Sequence, residues 1–401
     1  MDINCKPSLS PHTLQNPESY YCETLNRKLN ENSPQLEYYR RRGHDKTAVH
    51  FGQRGLLVSE IEFLTIALTE IFEDSKILAE DNPISGLINS FNNLKVNDKN
   101  LKILVVYIGA AEGKHLRLLC EMFPFLSYLF IDPERIYDDY GSFPNVKIDK
   151  CIMTNEKALK IKEIYKEWSI LYISDIRNVK FEKGKLSDSK SNEIISDDMK
   201  KQQEWYYILE PEMSYLKFRL PYPEKTNRLQ KQDFEYLDGD IFFLPWSTNT
   251  STETRILVKR KSKVKAYNIT KYEQQMFRYN LYERVLCYKH EIEVAGIDHC
   301  YDCSAEILVM NEYLTFQKKF PDLEFPNELK SIKQIIEKIN DFLQSPKERL
   351  VRMYYEHHQY DVFFNDMQYG KSASQIFTDE SKRLALRRGS EHSVPKYYSR
   401  S

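Results

Sequence analysis

Three apolar segments of this sequence each lead into a residue type that suits ligand binding. The segment 104–108 ends at Gly109, and Gly113 follows after three more residues; the second segment ends in Asp132, and the third is followed closely by Asp175. Ligands of open α/β sheets bind at the carboxyl ends of parallel strands. Glycine lets the backbone approach a ligand closely, and a carboxylate at a strand end suits a ribose diol. We therefore expect these four residues to lie around one nucleotide-like ligand.

The spacing of the two glycines narrows the type of ligand. Gly109-x-x-x-Gly113 is not the G-x-G-x-x-G fingerprint of dinucleotide-binding folds. It is closer to the first motif of S-adenosylmethionine-dependent methyltransferases, whose cofactor has no pyrophosphate. Because a helical segment, 115–122, lies between the first two strands, the pattern predicts a Rossmann-like α/β fold with a mixed, mostly parallel sheet flanked by helices. The alternative is an α/β fold that binds no cofactor.

Two further residues could take part in proton transfer. Lys217 lies inside the alternating segment 214–220, and a desolvated lysine beside an acid can be tuned to accept a proton. Glu253 begins another strand-like segment, 253–259. The pattern alone favours plainer interpretations, namely an edge-strand lysine that points to water and a surface glutamate.

The segment PYPE could bind a flat, positively charged ligand. Tyr222 lies between Pro221 and Pro223 and is followed by Glu224. Prolines on both sides stiffen the backbone that carries the ring, and a rigid ring beside a carboxylate suits a cationic aromatic ligand. A structural turn is an equally good interpretation of the same residues.

The composition excludes several classes of protein. The formal net charge of the 401 residues is −1, so a nucleic-acid site would have to be a local basic patch, such as 40–42 or 255–265. Such runs are more often solvated surface. The sequence contains no apolar stretch near the roughly 18 residues of a membrane span, and no G-x-S-x-G nucleophile motif.

The cysteines indicate a reducing compartment and no metal. The seven cysteines are scattered, odd in number, and come without a signal sequence. His299, Cys300 and Cys303 form one HCxxC group, which falls short of the four ligands of a structural zinc site unless Cys287 or His290, upstream, completes it. We therefore predict no metal site.

Changes in composition divide the chain into three parts. Residues 1–33 are polar and are predicted to be a disordered N-terminal arm, 34–344 to form a methyltransferase domain, and 345–401 to be a partly disordered C-terminal extension. Inside the domain, the polar segment 179–197 is predicted to be a loop, and 199–209 a helix.

Six blocks of the sequence, in order, resemble the poxvirus cap-specific mRNA 2′-O-methyltransferases, a family that also provides the small, regulatory subunit of the viral poly(A) polymerase. The blocks lie between about Leu36 and Leu343 and are VVYIGAAEGKHLRLL, FID, YISDIR, SYLKFRLPYPE, TETRIL and YEQQMFRYN. The resemblance implies that S-adenosyl-L-methionine is the cofactor. It further implies methyl transfer to the ribose 2′-OH of the first transcribed nucleotide of N7-methylguanosine-capped RNA.

The resemblance also assigns roles to individual residues. The family has a catalytic Lys-Asp-Lys-Glu tetrad, and its last three members fall on Asp175, Lys217 and Glu253. At the first lysine this chain departs from the family, because a gapless match places Gly55 there and Arg54 is the nearest cation. The implied cofactor-binding residues are Gln53, Tyr107, Gly109, Ala111, Gly113, Asp132, Arg135 and Met153. The implied cap-binding residues are the stacking rings of Tyr38 and Tyr222 and the acids Glu224 and Glu273.

The same resemblance implies partners and a location. The partners would be capped mRNA and a viral poly(A) polymerase catalytic subunit, with no membrane, and the location would be the virion and the host cytoplasm. The departure at Arg54-Gly55 leaves a second hypothesis open, a non-catalytic processivity factor that binds capped RNA. A third hypothesis is a methyltransferase that acts on another RNA ribose.

Overall fold

The computed structural model describes residues 21–22, 25–38, 52–80, 102–136, 140, 143–177, 188–223, 233–247, 251–281, 283–285, 287–288, 290–294, 297 and 301–343. Its strands are β1 (Tyr21–Cys22), β2 (Lys28–Leu29), β3 (Ile103–Ile108), β4 (Ser127–Ile131), β5 (Val146–Asp149), β6 (Ser169–Ser174), β7 (Met213–Phe218), β8 (Asp233–Leu237), β9 (Asp240–Phe243), β10 (Thr254–Lys259), β11 (Val264–Asn268) and β12 (Cys287–Tyr288). Its helices are α1 (Gly52–Glu80), α2 (Leu116–Met122), α3 (Asn155–Ile164), α4 (Asp188–Leu209), α5 (Ile269–Leu281), α6 (Tyr301–Lys319) and α7 (Ile332–Leu343). Within these ranges, no helix has the length and apolar character that crossing a membrane requires.

Eight strands form the central sheet, in the order β2-β9-β10-β7-β6-β3-β4-β5. The strands from β7 to β5 are parallel to their neighbours, and β10, β9 and β2 extend the sheet by antiparallel pairing. The chain adds β4 and β5 on one side of β3 and later adds β6 and β7 on the other side. Ligands of open α/β sheets bind at such a reversal of strand order. The predicted α/β class with a mixed, mostly parallel sheet is confirmed.

Alternate residues of the sheet point into two separate apolar layers. On one face, Val105 and Phe130 pack with residues of α1, α2, α6 and α7. On the other face, Val106 and Ile131 pack with residues of α3, α4 and α5. All residues of β3 are buried, because both faces of this central strand are covered by helices. A strand covered on both faces is continuously apolar, which explains why β3 could be predicted from sequence.

The end of the predicted N-terminal arm lies within the fold. Strand β2 pairs with β9 at the edge of the central sheet. Just before it, the guanidinium of Arg27 donates to both carboxylate oxygens of Glu62 on α1, at 3.0 and 2.7 Å. The boundary predicted at residue 33 therefore falls after the first strand of the central sheet. The predicted arm before residue 21 and the predicted extension 345–401 lie outside the described residues.

The predicted loop 179–197 is wrong in its second half, because α4 begins at Asp188. The helix packs against α3 and buries Gln202, Tyr206 and Leu209 at intervals of three and four residues. Its first turns consist mainly of polar residues. The period that marks an amphipathic helix is therefore visible in sequence only in the second half of α4.

Candidate catalytic and cofactor site

The glycine turn after β3 lies against the segment that follows β6. Gly109 has φ +83° and Gly113 has φ +63°, values that residues with a Cβ rarely adopt. A Cβ at Gly109 would lie 2.8 Å from the backbone carbon of Asp175. Glycine therefore allows these two predicted positions, Gly109 and Asp175, to come into contact.

Asp132 fixes the glycine turn from the neighbouring strand β4. One carboxylate oxygen accepts a hydrogen bond from the backbone N–H of Ala111 at 3.0 Å, and the other accepts from the N–H of Glu134 at 2.8 Å. Asp132 is 9% exposed, and Arg135, further along the same loop, is exposed. Because a carboxylate oxygen has more than one lone pair, Asp132 can also accept bonds from the two hydroxyls of a ribose. These groups fit the ribose of S-adenosylmethionine.

Three further predicted cofactor residues lie near the end of β3, at the start of α1 and just before α3. Tyr107 is buried in β3, and its hydroxyl donates to Glu60 of α1 at 2.7 Å. Gln53, in the first turn of α1, accepts a bond from the backbone N–H of His115 at 3.4 Å. Met153 is buried just before α3 and offers an apolar side chain. Gln53 and Met153 therefore offer a polar amide and an apolar surface to a cofactor, whereas the side chain of Tyr107 is buried against Glu60.

Lys217 lies between two carboxylates. Its ammonium is 2.7 Å from Oδ1 of Asp175 and 3.7 Å from Oε1 of Glu253. The side chains of the lysine, the aspartate and the glutamate are 14%, 17% and 13% exposed, so they are mostly desolvated and still reachable. Asp175 follows β6, Lys217 lies on the adjacent β7, and Glu253 precedes β10, which is the next strand. The sheet therefore brings together three of the four predicted catalytic residues.

Arg255 completes this cluster, although sequence reasoning placed it in a phosphate-binding patch. Its guanidinium lies 2.7 Å from Oδ1 of Asp175 and 3.1 Å from Oε1 of Glu253. In the register of β7 and β10, Arg255 is directly opposite Lys217. The sequence does contain a signal, since Glu253 and Arg255 are two residues apart in the strand-like segment 253–259, and such residues share a face.

The cations determine the charge of Glu253. Burial opposes ionisation of this carboxyl, but the charges of Lys217, Arg255 and Arg177 outweigh burial and hold the pKa of Glu253 well below its ordinary value. Burial also disfavours the guanidinium of Arg255, and the charges of Asp175 and Glu253 outweigh it and raise the pKa of Arg255. Glu253 therefore remains a carboxylate throughout the neutral pH range.

The fourth predicted catalytic residue, Arg54, lies in a different cluster. Its guanidinium donates to Oε2 of Glu306 at 2.6 Å and to the side-chain oxygen of Asn340 at 2.7 Å. Trp246 donates its indole N–H to the same oxygen of Glu306 at 3.1 Å. Arg54 is 1% exposed. The structure thus corrects its predicted placement, since Arg54 joins helices α1, α6 and α7 in a buried ion pair.

Gly55 is the residue that a gapless match places at the first lysine of the family. It is buried, and a Cβ there would lie 2.4 Å from the carbonyl oxygen of Pro245. This crowding excludes a lysine at Gly55 without movement of the backbone. The second cation beside Asp175 and Glu253 is supplied by Arg255.

Tyr222, predicted to stack on a base, follows β7. Its backbone N–H donates to the side chain of Asn192 on α4 at 2.8 Å, and the guanidinium of Arg219 lies 4.4 Å from the centroid of its ring. Arg219 therefore covers one face of the ring. The predicted cap residue Glu224 lies outside the described residues.

Tyr38, the other predicted stacking residue, is held against α5. Its ring contacts Phe277 edge-on, with the ring centroids 5.1 Å apart. Glu273 is buried one turn earlier on the same helix. Helix α5 in turn packs on β7, because the rings of Tyr272 and Phe218 lie 5.5 Å apart. The elements that carry Tyr38, Glu273 and Tyr222 are therefore neighbours.

Sequence comparison decides the family. A family model described as "Poly A polymerase regulatory subunit" matches residues 86–344, which is more than half of the chain. This chain belongs to that family. The matched region includes the whole charged cluster around Lys217, whereas Tyr38, Gln53 and Arg54 precede it.

Two individual proteins are similar to this chain. The cap-specific mRNA (nucleoside-2′-O-)-methyltransferase of Fowlpox virus (strain NVSL) is 30% identical over 203 residues, which are 47% of this chain and 63% of the relative. The match therefore spans less than two thirds of the relative. The crystal structure of a ribosomal RNA methyltransferase from Plasmodium falciparum covers 43% of this chain and 93% of its own, with 15% identity and a TM-score of 0.25.

The basic run 255–265, predicted as an RNA-binding patch, is largely paired with acids. The pairs and the distances between their charged atoms are Lys259–Glu70 at 2.7 Å, Arg260–Glu212 at 2.7 Å and Lys265–Glu31 at 2.8 Å. These acids neutralise charges that a phosphate would otherwise attract. The other predicted patch, 40–42, lies outside the described residues.

The HCxxC group is described only at Cys303, which is buried on α6 and forms no disulfide. His299 and Cys300 lie outside the described residues. Within the described ranges, no group of three or more histidine, cysteine, aspartate or glutamate side chains is arranged to hold a metal ion.

Proposed function

We propose that this protein is an S-adenosylmethionine-dependent methyltransferase that modifies the ribose 2′-OH of the first transcribed nucleotide of N7-methylguanosine-capped mRNA. The observation that carries the proposal is the position of Lys217. It lies between Asp175 and Glu253, at the strand ends beside the glycine turn. The similarity to the fowlpox cap-specific 2′-O-methyltransferase supports both the reaction and the substrate.

The cofactor would be held by the turn from Gly109 to Gly113 and by Asp132. The carboxylate of Asp132 is fixed by two backbone N–H groups and can accept bonds from ribose hydroxyls. Met153 offers an apolar surface to the adenine. When bound, S-adenosylmethionine supplies an electrophilic methyl group on a sulfonium sulfur.

The residues around Lys217 would act on the ribose hydroxyl. The oxygen gains the methyl group and loses its proton, so the site must accept that proton or stabilise the developing negative charge. The ammonium of Lys217 can lower the pKa of an adjacent hydroxyl, and in its neutral form it can take the proton. Arg255 donates to Asp175 and to Glu253 and keeps both carboxylates in place for Lys217. Fixed charges at the reacting atoms lower the barrier without reorganisation during the reaction.

The aromatic residues would select the methylated cap. N7-methylguanine carries a positive charge, which favours contact with the face of an aromatic ring. Arg219 covers one face of Tyr222, so the base would use the other face, with Tyr38 as the second ring. Glu273 would accept N–H bonds from the edge of the base. A bound cap would place the next ribose beside Lys217. The RNA loses translational and rotational entropy on binding, so less is lost in reaching the transition state.

The direct test supplies labelled S-adenosylmethionine and capped RNA with or without the N7-methyl group. We expect label on the first ribose, with a clear preference for the N7-methylated cap. Asp175→Ala should abolish labelling, and Asp233→Ala, at an exposed strand position, is the matched control. Absence of label in wild-type protein that binds the cofactor would refute the catalytic proposal.

A specific observation favours a second candidate function, a cap-binding processivity subunit without catalysis. The first lysine of the family tetrad is absent, and Gly55 leaves no room for it. In that case wild type and Asp175→Ala would retain capped RNA equally, and neither would transfer a methyl group. Membership of the regulatory-subunit family further supports a poly(A) polymerase catalytic subunit as partner, and with it the virion and the host cytoplasm as the location. Co-purification with such a subunit tests that proposal.

A further inference from the structure

A buried polar cluster lies behind the glycine turn and is not used by the chemistry proposed above. It consists of Glu60 on α1, Tyr107 on β3 and His115 just before α2. These residues are 2%, 1% and 2% exposed. The ring of His115 also contacts Gln53, a predicted cofactor residue. The cluster therefore connects the interior of the protein to the cofactor site.

The backbone of His115 fixes the orientation of the Gln53 amide. The N–H of His115 lies 3.4 Å from Oε1 of Gln53, and a backbone N–H can only donate. The ring Nδ1 of His115 lies 2.8 Å from the same oxygen. Since Oε1 only accepts, Nδ1 must carry a proton. The amide nitrogen of Gln53 is then turned away from His115, where it can donate to a ligand.

The other ring nitrogen of His115 faces a carboxylate. Nε2 lies 3.2 Å from Oε1 and 3.0 Å from Oε2 of Glu60. Oε1 also accepts from the hydroxyl of Tyr107 at 2.7 Å, and Oε2 has no other hydrogen-bond partner among the residues that the structure describes. A neutral histidine with its proton on Nδ1 offers a lone pair at Nε2, and an ionised carboxylate offers lone pairs as well. Two such acceptors in a buried site repel each other unless a proton lies between them.

We propose that His115 and Glu60 hold one proton between them and thereby orient Gln53 to bind S-adenosylmethionine. The proton can reside on Nε2 or on the carboxyl, and in both cases Nδ1–H remains bonded to Gln53. The amide N–H groups of Gln53 then donate to oxygens of the cofactor. His115 and Glu60 are positioning residues, because they act through Gln53. The identity of the ligand rests on the proposed function.

Nitrogen-15 NMR of the histidine rings in the full chain locates the proton directly. The signals of His115 can be assigned by their loss in His115→Phe. We expect a protonated Nδ1 at pH 7.5. A bare Nδ1 with the proton on Nε2 would mean that Gln53 has the opposite orientation, and this result would overturn the proposal.

Calorimetric binding of S-adenosylhomocysteine tests the role of the cluster. Gln53→Glu keeps the acceptor that faces His115 and removes the donor that faces the ligand, so we expect binding to weaken by about tenfold or more. Glu60→Gln should bind within about twofold of wild type, since its amide can donate to Nε2 and no extra proton is needed. Gln203→Glu, on the outer part of α4, is the matched control for the added charge.

His115→Phe should weaken binding as much as Gln53→Glu does, and it is also expected to lower the melting temperature. If it fails to fold, Gln53→Glu and Glu60→Gln still decide the question. Wild-type affinity in Gln53→Glu would overturn this inference and leave the proposed function intact. Wild-type protein that binds neither S-adenosylmethionine nor S-adenosylhomocysteine would overturn the proposed function and the cofactor role of the cluster together.

Discussion

Two clusters of opposite charges in this protein have similar members and different surroundings. The strand-end cluster consists of Asp175, Lys217, Glu253 and Arg255. The helix cluster consists of Arg54, Trp246, Glu306 and Asn340. In the strand-end cluster the lysine is 14% exposed, whereas in the helix cluster the arginine and the glutamate are 1% and 0% exposed.

The helix cluster is closed. Both oxygens of Glu306 accept from Arg54, and one of them also accepts from Trp246. Asn340 accepts a further bond from Arg54. A buried ion pair of this kind need not add much net stability, but removal of one partner leaves a buried charge without compensation. The helix cluster thus fixes α1, α6 and α7 relative to one another.

The strand-end cluster remains partly open. Arg255 and Lys217 share the same two carboxylates, so the acids keep a partner when Lys217 turns to a substrate. Partial exposure lets a hydroxyl reach the lysine, and the low water content strengthens its charge interactions. Under the proposed function, burial and redundancy of partners, more than residue type, separate the reactive ion-pair cluster from the structural one.

Replacement of Lys217 should separate the two clusters most strongly. In the proposed mechanism Lys217 acts on the reacting hydroxyl, so Lys217→Met should lower methyl transfer by about 10²–10⁴-fold, with little change in the urea midpoint. Lys259→Met removes an exposed, paired lysine of the same sheet and should leave activity unchanged. Comparable losses of activity in both variants would show that the two lysines do not differ in role.

The reverse effect is expected in the helix cluster. Glu306→Gln removes the negative charge that faces the buried guanidinium of Arg54, which should cost about 3–5 kcal/mol of unfolding free energy. Glu167→Gln removes an exposed partner of Lys102 and should cost at most about 1 kcal/mol. Urea denaturation measures both. The activity per folded molecule of Glu306→Gln should match wild type, and a selective loss of activity would place Arg54 back in the catalytic set.

Replacement of Arg255 tests whether catalysis depends on a second cation that contacts the same two acids as Lys217. Arg255→Met leaves Asp175 with Lys217 and leaves Glu253 with Lys217 and Arg177, and small displacements of the two acids should lower the rate by roughly 10²-fold. Arg255→Lys restores the charge without the fork that reaches both acids, so it should recover part of the rate. Single-turnover methyl transfer at saturating cofactor measures both variants. A rate in Arg255→Met equal to wild type would mean that Lys217 needs no second cation.

Sequence patterns located the site residues that lie at the ends of the buried parallel strands. Apolar runs placed Gly109, Asp132 and Asp175 at strand ends, because a buried strand is continuously apolar and its first polar residue marks the edge. Lys217 and Glu253 were selected by the family resemblance, since their local pattern favoured solvent-exposed roles. The alternation that places Glu253 and Arg255 on one face was visible in the sequence. Arg255 was nevertheless assigned to a phosphate-binding patch.

The placement of Arg54 could not be predicted from local sequence. Its partner Glu306 lies 252 residues further along the chain, on a helix that is buried on most of its surface and has little amphipathic pattern. The contact of His115 with Glu60 is likewise a tertiary contact between separate elements. Long-range pairs of this kind depend on how helices pack on the sheet, which periodicity does not determine.

The smallest expected effect is a change of stability with pH. It tests the charge of Glu253 in the strand-end cluster, the more open of the two clusters. The cations around Glu253 lower its pKa in the folded state, so its ionised form contributes stability that is fully present above the ordinary pKa of glutamate and is lost as the pH falls through the lowered value. Thermal melts of wild type and Glu253→Gln should therefore differ by a few degrees at neutral pH, and the difference should shrink below about pH 4. Protonation of carboxylates that lie far from Glu253 affects both proteins equally and cancels in the comparison. A difference that grows towards low pH would mean that Glu253 is stabilised as the neutral acid, which would contradict this prediction.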